Sequence, residues 1–365
     1  MNDSPIAGRF DLVSADATYI GGWTAAIGGA DVCNQIGALP TSIMKLGILQ
    51  FFSWPGRRQP ISTVYARALE RIAIMDQGGY DAVWITEHHF NDYSVCPSIP
   101  VMGAYAAART KRLRIGTGVT LAAFYNPLRL AEEIALLDIL SGGRVNWGAG
   151  RGFDPIEFKA FGVTIEESAA RFHEAVDVVV KAWKNDRLSH TGRYFSFEDV
   201  EVLPKPLQQP HPPVFVAAGS PAALAWAGAR GYSVLMGPHA TDAQMGEARR
   251  HYLAALTAGG HSATGRETPM ARLLAIASTD AEAERIARQG AKWLLDSYVD
   301  PKVLSHVGNP LDWYVNSVVI HGTPERVTDR ITRMREEIGL EYIIGAPLSH
   351  ETFLAFTDQV LPKFL

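Results

Sequence analysis

From about residue 43 onward, short apolar runs alternate with longer segments of helical period. Runs such as Lys45-Leu46-Gly47-Ile48-Leu49 and Val214-Phe215-Val216-Ala217 are bounded by Gly, Pro or polar clusters and show little polar alternation. That pattern fits strands buried on both faces, as in a parallel sheet covered by helices. Eight strands are predicted, over 45–51, 82–86, 114–120, 145–149, 214–217, 233–236, 271–277 and 342–345. Helices are predicted over 62–77, 100–108, 127–140, 168–183, 221–229, 242–256, 281–289 and 324–338. Pro127, Pro221 and Pro324 open their helices, where a missing N–H costs nothing. Asp280 and Thr323 supply caps, while Gly78-Gly79, Gly231 and Gly339 supply stops.

Strands alternating with helices predict an α/β protein, either a closed (β/α)8 TIM barrel or a doubly wound open sheet. No GxGxxG follows the first strand, which weighs against the dinucleotide-binding open sheet. Two stretches exceed ordinary loop length, 152–213 with a helix of its own, and 293–321. In a barrel they are insertions after strands 4 and 7, placed to shape the active-site mouth or a partner surface. Residues 1–43 are rich in Gly, Ala and Ser without a period. They read as a flexible leader, with Met44 an alternative start codon, ahead of one barrel domain over 44–365.

The charge balance removes several function classes. With 34 Lys and Arg against 38 Asp and Glu, the net charge is −4, and no basic block stands out. Nucleic acid is therefore not an expected partner. No apolar run approaches the ~20 residues that cross a bilayer, and no secretion signal opens the chain, so a cytoplasmic protein without a membrane partner is expected. Cys33 and Cys96 form neither a CxxC pair nor a zinc spacing.

Three motifs can carry chemistry. Thr86-Glu87-His88-His89-Phe90 lies at the C-terminal end of the second strand, where barrel enzymes place catalytic groups. Adjacent histidines there point in different directions, so one can do acid–base work while the other holds structure; a purely structural pair is the competing reading. A metal site would need further ligands, and no HExxH or matching carboxylate spacing is present. In Gly150-Arg151-Gly152 the glycines let backbone approach a ligand, and the planar fork of Arg151 suits a phosphate. Arg171, early in the helix of the first insertion, could join it or form a surface ion pair. Finally, Val216-Ala217-Ala218-Gly219-Ser220-Pro221 runs from a strand into a helix N-terminus, an anion site in itself unless Ser220 is only a cap. Together the last two form a credible phosphate pocket, which a cofactor with one terminal phosphate, such as FMN, would fit.

At these residues the chain resembles the bacterial luciferase-like flavin monooxygenases. The matching pieces include Met44-Lys45-Leu46-Gly47-Ile48, Tyr80 through Phe90, Asn126-Pro127-Leu128-Arg129, Leu137 through Arg144, Gly150-Arg151-Gly152, Lys205 through Pro213 and His321-Gly322-Thr323-Pro324. Their order and spacing run from Met44 nearly to the C-terminus. The resemblance implies a (β/α)8 barrel that takes reduced FMN (FMNH2) from a separate NAD(P)H:flavin reductase. It implies reaction with O2 through a C4a-(hydro)peroxyflavin and transfer of one oxygen atom to a small organic substrate. His88 matches the family's catalytic His, and Glu87, Arg151, Arg171, Ala218, Gly219 and Ser220 fall at flavin-binding positions. Some members carry an acidic residue where this chain has Gly219.

Glu132, Asp138 and Arg144 match family positions and read as structural, through buried pairing or capping. Phe51, Trp54, Phe124, Tyr125 and Trp147 are candidates for the substrate wall, against plain core packing. The resemblance also implies a homodimer, to which Met102, Tyr105, Leu136 and Ile139 could contribute an apolar face. Two other functions stay open: an F420-dependent hydride-transfer oxidoreductase of the same superfamily, and a non-catalytic flavin-binding subunit.

Overall fold

All eight predicted strands are present in the computed structural model, which describes residues 44–297, 304 and 307–365. The leader expected over 1–43, with Cys33, lies outside the described residues, as does part of the second long stretch. The strands are β1 (Lys45–Gln50), β2 (Ala82–Ile85), β3 (Arg114–Thr117), β4 (Thr120–Leu121), β5 (Val145–Gly150), the pair β6 (Leu188–Thr191) and β7 (Ser196–Val200), β8 (Val214–Ala217), β9 (Ser233–Leu235), β10 (Met270–Ile276), β11 (Ile320–Gly322) and β12 (Tyr342–Pro347). The main sheet is parallel throughout, in the order β11-β10-β12-β1-β2-β3-β5-β8-β9 with β4 beside β5. Its two ends meet. The Met236 N–H donates to the Pro269 carbonyl at 2.9 Å, and the Ala271 N–H to the Met236 carbonyl at 2.9 Å. The sheet thus curls into the barrel that the alternation predicts.

Helices cover the outer face: α1 (Ile61–Gly78), α2 (Ile99–Ala107), α3 (Pro127–Leu140), α4 (Pro155–Phe161), α5 (Ile165–Lys184), α6 (Pro221–Ala229), α7 (Asp242–Ala258), α8 (Asp280–Ser297), α9 (Pro310–Ser317), α10 (Pro324–Ile338) and α11 (His350–Ala355). α5 begins three residues before the predicted 168, because Thr164 and Glu167 form a reciprocal capping box that sets the start. The predicted strand over 114–120 divides into β3 and β4. Between β5 and β8 lie α4, α5 and the β6–β7 hairpin; α8, α9 and β11 follow β10.

The barrel interior is filled, and glycines make the room. Trp84 on β2 projects inward, edge-on to Phe215 of β8 with centroids 5.0 Å apart, and its indole N–H donates to the Tyr342 hydroxyl at 3.1 Å. A Cβ on Gly116 of the neighbouring β3 would lie 2.5 Å from the Trp84 ring. Only glycine fits there, since a fixed aromatic cannot retreat in a close-packed interior. Gly116→Ala should therefore lower stability by about 3 kcal/mol, read as an earlier urea midpoint at unchanged slope.

Two of the three residues read as structural hold the N-terminal end of the barrel. The Asp138 carboxylate is buried and accepts the Gln208 backbone N–H at 2.8 Å and its side-chain amide at 2.7 Å. Arg144 donates to the carbonyls of Ser141, Leu113 and Ala107 at 2.6, 2.8 and 2.9 Å. Glu132 departs from the expectation: it is exposed on α3, where no strand faces it.

Candidate active site

β2 is buried along its whole length, and the chain leaves it at Thr86, whose hydroxyl donates to the Gln50 carbonyl at 3.1 Å. That anchor delivers Glu87, His88 and His89 to the C-terminal mouth of the barrel. The two histidines diverge. His89 turns to Glu87, with its Nε2 3.1 Å from the carboxylate, and meets the edge of Phe161. Glu87 is almost fully buried; burial pushes its carboxyl up, and bonds from His89, Tyr125 and the Leu121 backbone offset part of that rise.

His88 occupies an aromatic cage. Its ring lies parallel to Phe51 with centroids 6.4 Å apart, and edge-on to Tyr93 at 4.6 Å and Phe153 at 5.8 Å. Nδ1 has two polar neighbours, the Tyr93 hydroxyl at 2.9 Å and Glu157 Oε1 at 3.4 Å. Tyr93 continues to Asp154 Oδ2 at 3.2 Å, and Glu157 Oε1 also accepts the His89 backbone N–H at 2.9 Å. Tyr93, Asp154 and Glu157 were not singled out from the sequence. Asp154 ahead of Pro155 is legible as a helix cap, which it is, accepting the Ile156 N–H at 2.9 Å. Its second role depends on a tertiary approach that no spacing encodes.

The other predicted residues gather at the ends of β5 and β8. Ala149 pairs with Val216, so Arg151 leaves β5 beside Ala218. Among the described residues no carboxylate or carbonyl is bonded to the Arg151 guanidinium. Its neighbour His173 stacks on Trp226 at 4.1 Å, and burial pushes that imidazole down to about 4, with Arg230 and Arg151 adding to the effect. Arg230 is neutralised by Asp177 through two 3.0 Å bonds, which leaves Arg151 as the uncompensated cation of this group. Ala218 is buried. Ser220 caps α6 by accepting the Ala223 N–H at 3.3 Å, and the N–H groups of Gly219, Ser220 and Ala222 bond no acceptor among the described residues. Arg171 lies on the flank: its Nε donates to the Ala123 carbonyl at 2.8 Å and its guanidinium covers the Phe195 ring at 4.9 Å.

This donor set, an unpaired guanidinium beside a helix N-terminus with free N–H groups, matches a phosphate and offers a cation nothing. Among the described residues no group of three or more His, Cys, Asp or Glu side chains could hold a metal ion. No helix of the described residues is long and apolar enough to cross a membrane. Of the candidate wall residues, Trp147 is wholly buried against Trp183, outside the barrel interior, so it is core. Phe51 faces His88, and Phe124 stacks on Phe161.

Comparison with known proteins decides the family. Residues 44–342 match the family model described as luciferase-like monooxygenase. The chain belongs to this family. It is 33% identical over 198 residues to the oxygenase component of the flavin-dependent trigonelline monooxygenase of Acinetobacter baylyi, covering 53% of this chain and 55% of that protein. It is also 33% identical over 191 residues to the F420-dependent glucose-6-phosphate dehydrogenase of Kineococcus radiotolerans, covering 47% of this chain and 55% of that protein. The luciferase-like family member thus spans about half the length of the curated relatives it matches. Among solved structures, the monooxygenase RslO1 from Streptomyces bottropensis superposes with a TM-score of 0.79 at 29% identity, over 88% of this chain and 100% of that one.

Proposed function

We propose that the protein is an FMNH2-dependent monooxygenase that transfers one oxygen atom from O2 to a small organic substrate. The observation that carries this reading is one barrel mouth holding both a caged histidine and an unpaired guanidinium beside a free helix N-terminus. Arg151 and the Ala218-Gly219-Ser220 turn would hold the FMN phosphate, with the Nη groups of Arg171 reaching toward it from the flank. Glu87, which holds His89 at the same mouth, would be a further flavin-side contact. When bound, the reduced flavin supplies the electrons that activate O2. The chain's part is to orient, to keep the site dry with Phe51, Phe153 and Phe124, and to present His88 as the group that donates or accepts a hydrogen bond at the reacting oxygen.

The trigonelline enzyme's designation as an oxygenase component supports a separate NAD(P)H:flavin reductase as partner. The test uses reduced FMN, 18O2 and a panel of small organic substrates. One 18O atom in a product is the expected result. Absence of O2 consumption together with reduction of a substrate by reduced F420 would favour the second reading, a hydride-transfer oxidoreductase, which the Kineococcus relative supports. Tight FMN binding without either activity would point to a non-catalytic subunit.

We also propose a cytoplasmic homodimer. Leu136 and Ile139 on α3 and Tyr105 on α2 are 48%, 41% and 45% exposed, an apolar face that water would otherwise cover. Val101 and Leu140 extend it. Leu136→Glu should shift the protein from dimer to monomer in sedimentation; an unchanged dimer would remove this face from the interface. We likewise propose 44–365 as the barrel domain, a reading that the family match supports over 44–342.

A further inference from the structure

The contacts around His88 determine where its ring proton resides. The Tyr93 hydroxyl carries one proton and, among its contacts with the described residues, meets Asp154 Oδ2 at 3.2 Å and His88 Nδ1 at 2.9 Å. Asp154 acts as an acceptor throughout: Oδ2 takes the Asn91 amide at 2.5 Å and Oδ1 the Ile156 N–H at 2.9 Å. Its contact with Tyr93 is therefore a bond only if the phenol donates. The phenol oxygen is then left as acceptor for His88. The other neighbour of Nδ1, Glu157 Oε1, already accepts the His89 N–H and presents lone pairs to His88 at 3.4 Å. A proton on Nδ1 satisfies each of these contacts. With Nδ1 bare, the phenol proton would turn to the ring, the Asp154 contact would be lost, and Nδ1 would face the lone pairs of Glu157. All four groups are buried, so an unmade bond there is not replaced by water.

We propose that Tyr93 and Asp154 are positioning residues that fix neutral His88 as its Nδ1–H tautomer, leaving Nε2 as the ring's hydrogen-bond acceptor. This inference rests on His88 being the reactive histidine of the flavin site, and it specifies its role: an acceptor toward a substrate or flavin donor, not a donor to a developing oxyanion. Free imidazole in water favours the opposite tautomer slightly, so the chain imposes the preference.

The test is two-bond 1H–15N correlation of the full-length protein labelled at histidine nitrogen, with the His88 signals identified by their loss in His88→Gln. In the neutral ring Nδ1 should appear as the protonated nitrogen and Nε2 as the bare one. Tyr93→Phe, which keeps the ring and removes the relay, should shift the tautomer ratio by roughly tenfold, the worth of one buried hydrogen bond. Asp154→Asn is the second variant and should shift it in the same direction. A protonated Nε2 in the unaltered protein, or a ratio unmoved in Tyr93→Phe, would overturn the assignment. FMN titration of the same samples keeps the two readings apart. Failure to bind FMN would refute the flavin site while the tautomer stands, and FMN binding with the wrong tautomer would refute only the relay.

Discussion

His88→Ala should cut the formation of oxygenated product severely while FMN binding stays within about twofold of the unaltered protein. The expected loss in turnover is about 10²- to 10⁴-fold, the span that a positioned acid–base group contributes. Geometry motivates the split between binding and turnover. His88 lies at the end of β2, in a cage of Phe51, Tyr93 and Phe153, whereas the unpaired Arg151 and the free N–H groups of the α6 N-terminus lie at the ends of β5 and β8. Removing the imidazole leaves the phosphate end untouched. His88→Gln separates hydrogen bonding from proton transfer: it keeps polar groups at the position but does not titrate. Turnover is measured as 18O-labelled product, with O2 consumption and H2O2 followed in parallel. Product forming at the normal rate in His88→Ala would remove His88 from the chemistry. Loss of product with O2 consumption retained as H2O2 would assign His88 to using the oxygen and not to recruiting the cofactor.

How much of this was legible in the sequence depends on whether the signal was local. The barrel strands were legible because each is an apolar run buried on both faces, such as Ala82-Val83-Trp84-Ile85, and a run of that kind has few alternatives. The β6–β7 hairpin was not, because its strands are mostly exposed and offer no hydrophobic period. β11 was missed for a different reason: at three residues, Ile320–Gly322, it is held by pairing with β10 and not by its own composition. The candidate site divides in the same way. Glu87, His88 and Arg151 announce themselves by standing at strand ends next to glycine or a buried run. Tyr93 and Glu157 reach His88 from a loop and from α4, and their role exists only once the barrel has brought those segments together. Two further residues follow the same logic. Trp147, which reads more readily as core than as substrate wall, is core: strand parity turns it outward against Trp183. Glu132 falls one helical step away from the buried stripe of α3 that includes Ala131 and Ala135.

Arg151→Ala should weaken FMN binding by about 10- to 100-fold and leave riboflavin binding within about twofold. The two ligands share the ring system and ribityl chain and differ by the phosphate, so their ratio isolates the anion site from the rest of the pocket. A hydrogen bond to a charged group contributes about 1.5–3 kcal/mol, which gives the expected range. Arg151 is suited to make such a bond because none is made already among the described residues, and the nearby Arg230 is engaged by Asp177. Its guanidinium therefore spends no protein partner when a phosphate arrives, and the partial positive charge at the α6 N-terminus acts in the same direction. Arg151→Lys keeps the charge but loses the planar fork, so its FMN affinity should fall between those of the two other forms. Arg171→Ala provides the contrast. Arg171 already holds the Ala123 carbonyl and the face of Phe195, so its loss should lower thermal stability and weaken FMN and riboflavin more nearly alike. If Arg151→Ala weakened both ligands equally, Arg151 would be acting through the shape of the mouth, and the phosphate would have to be sought at Arg171 instead.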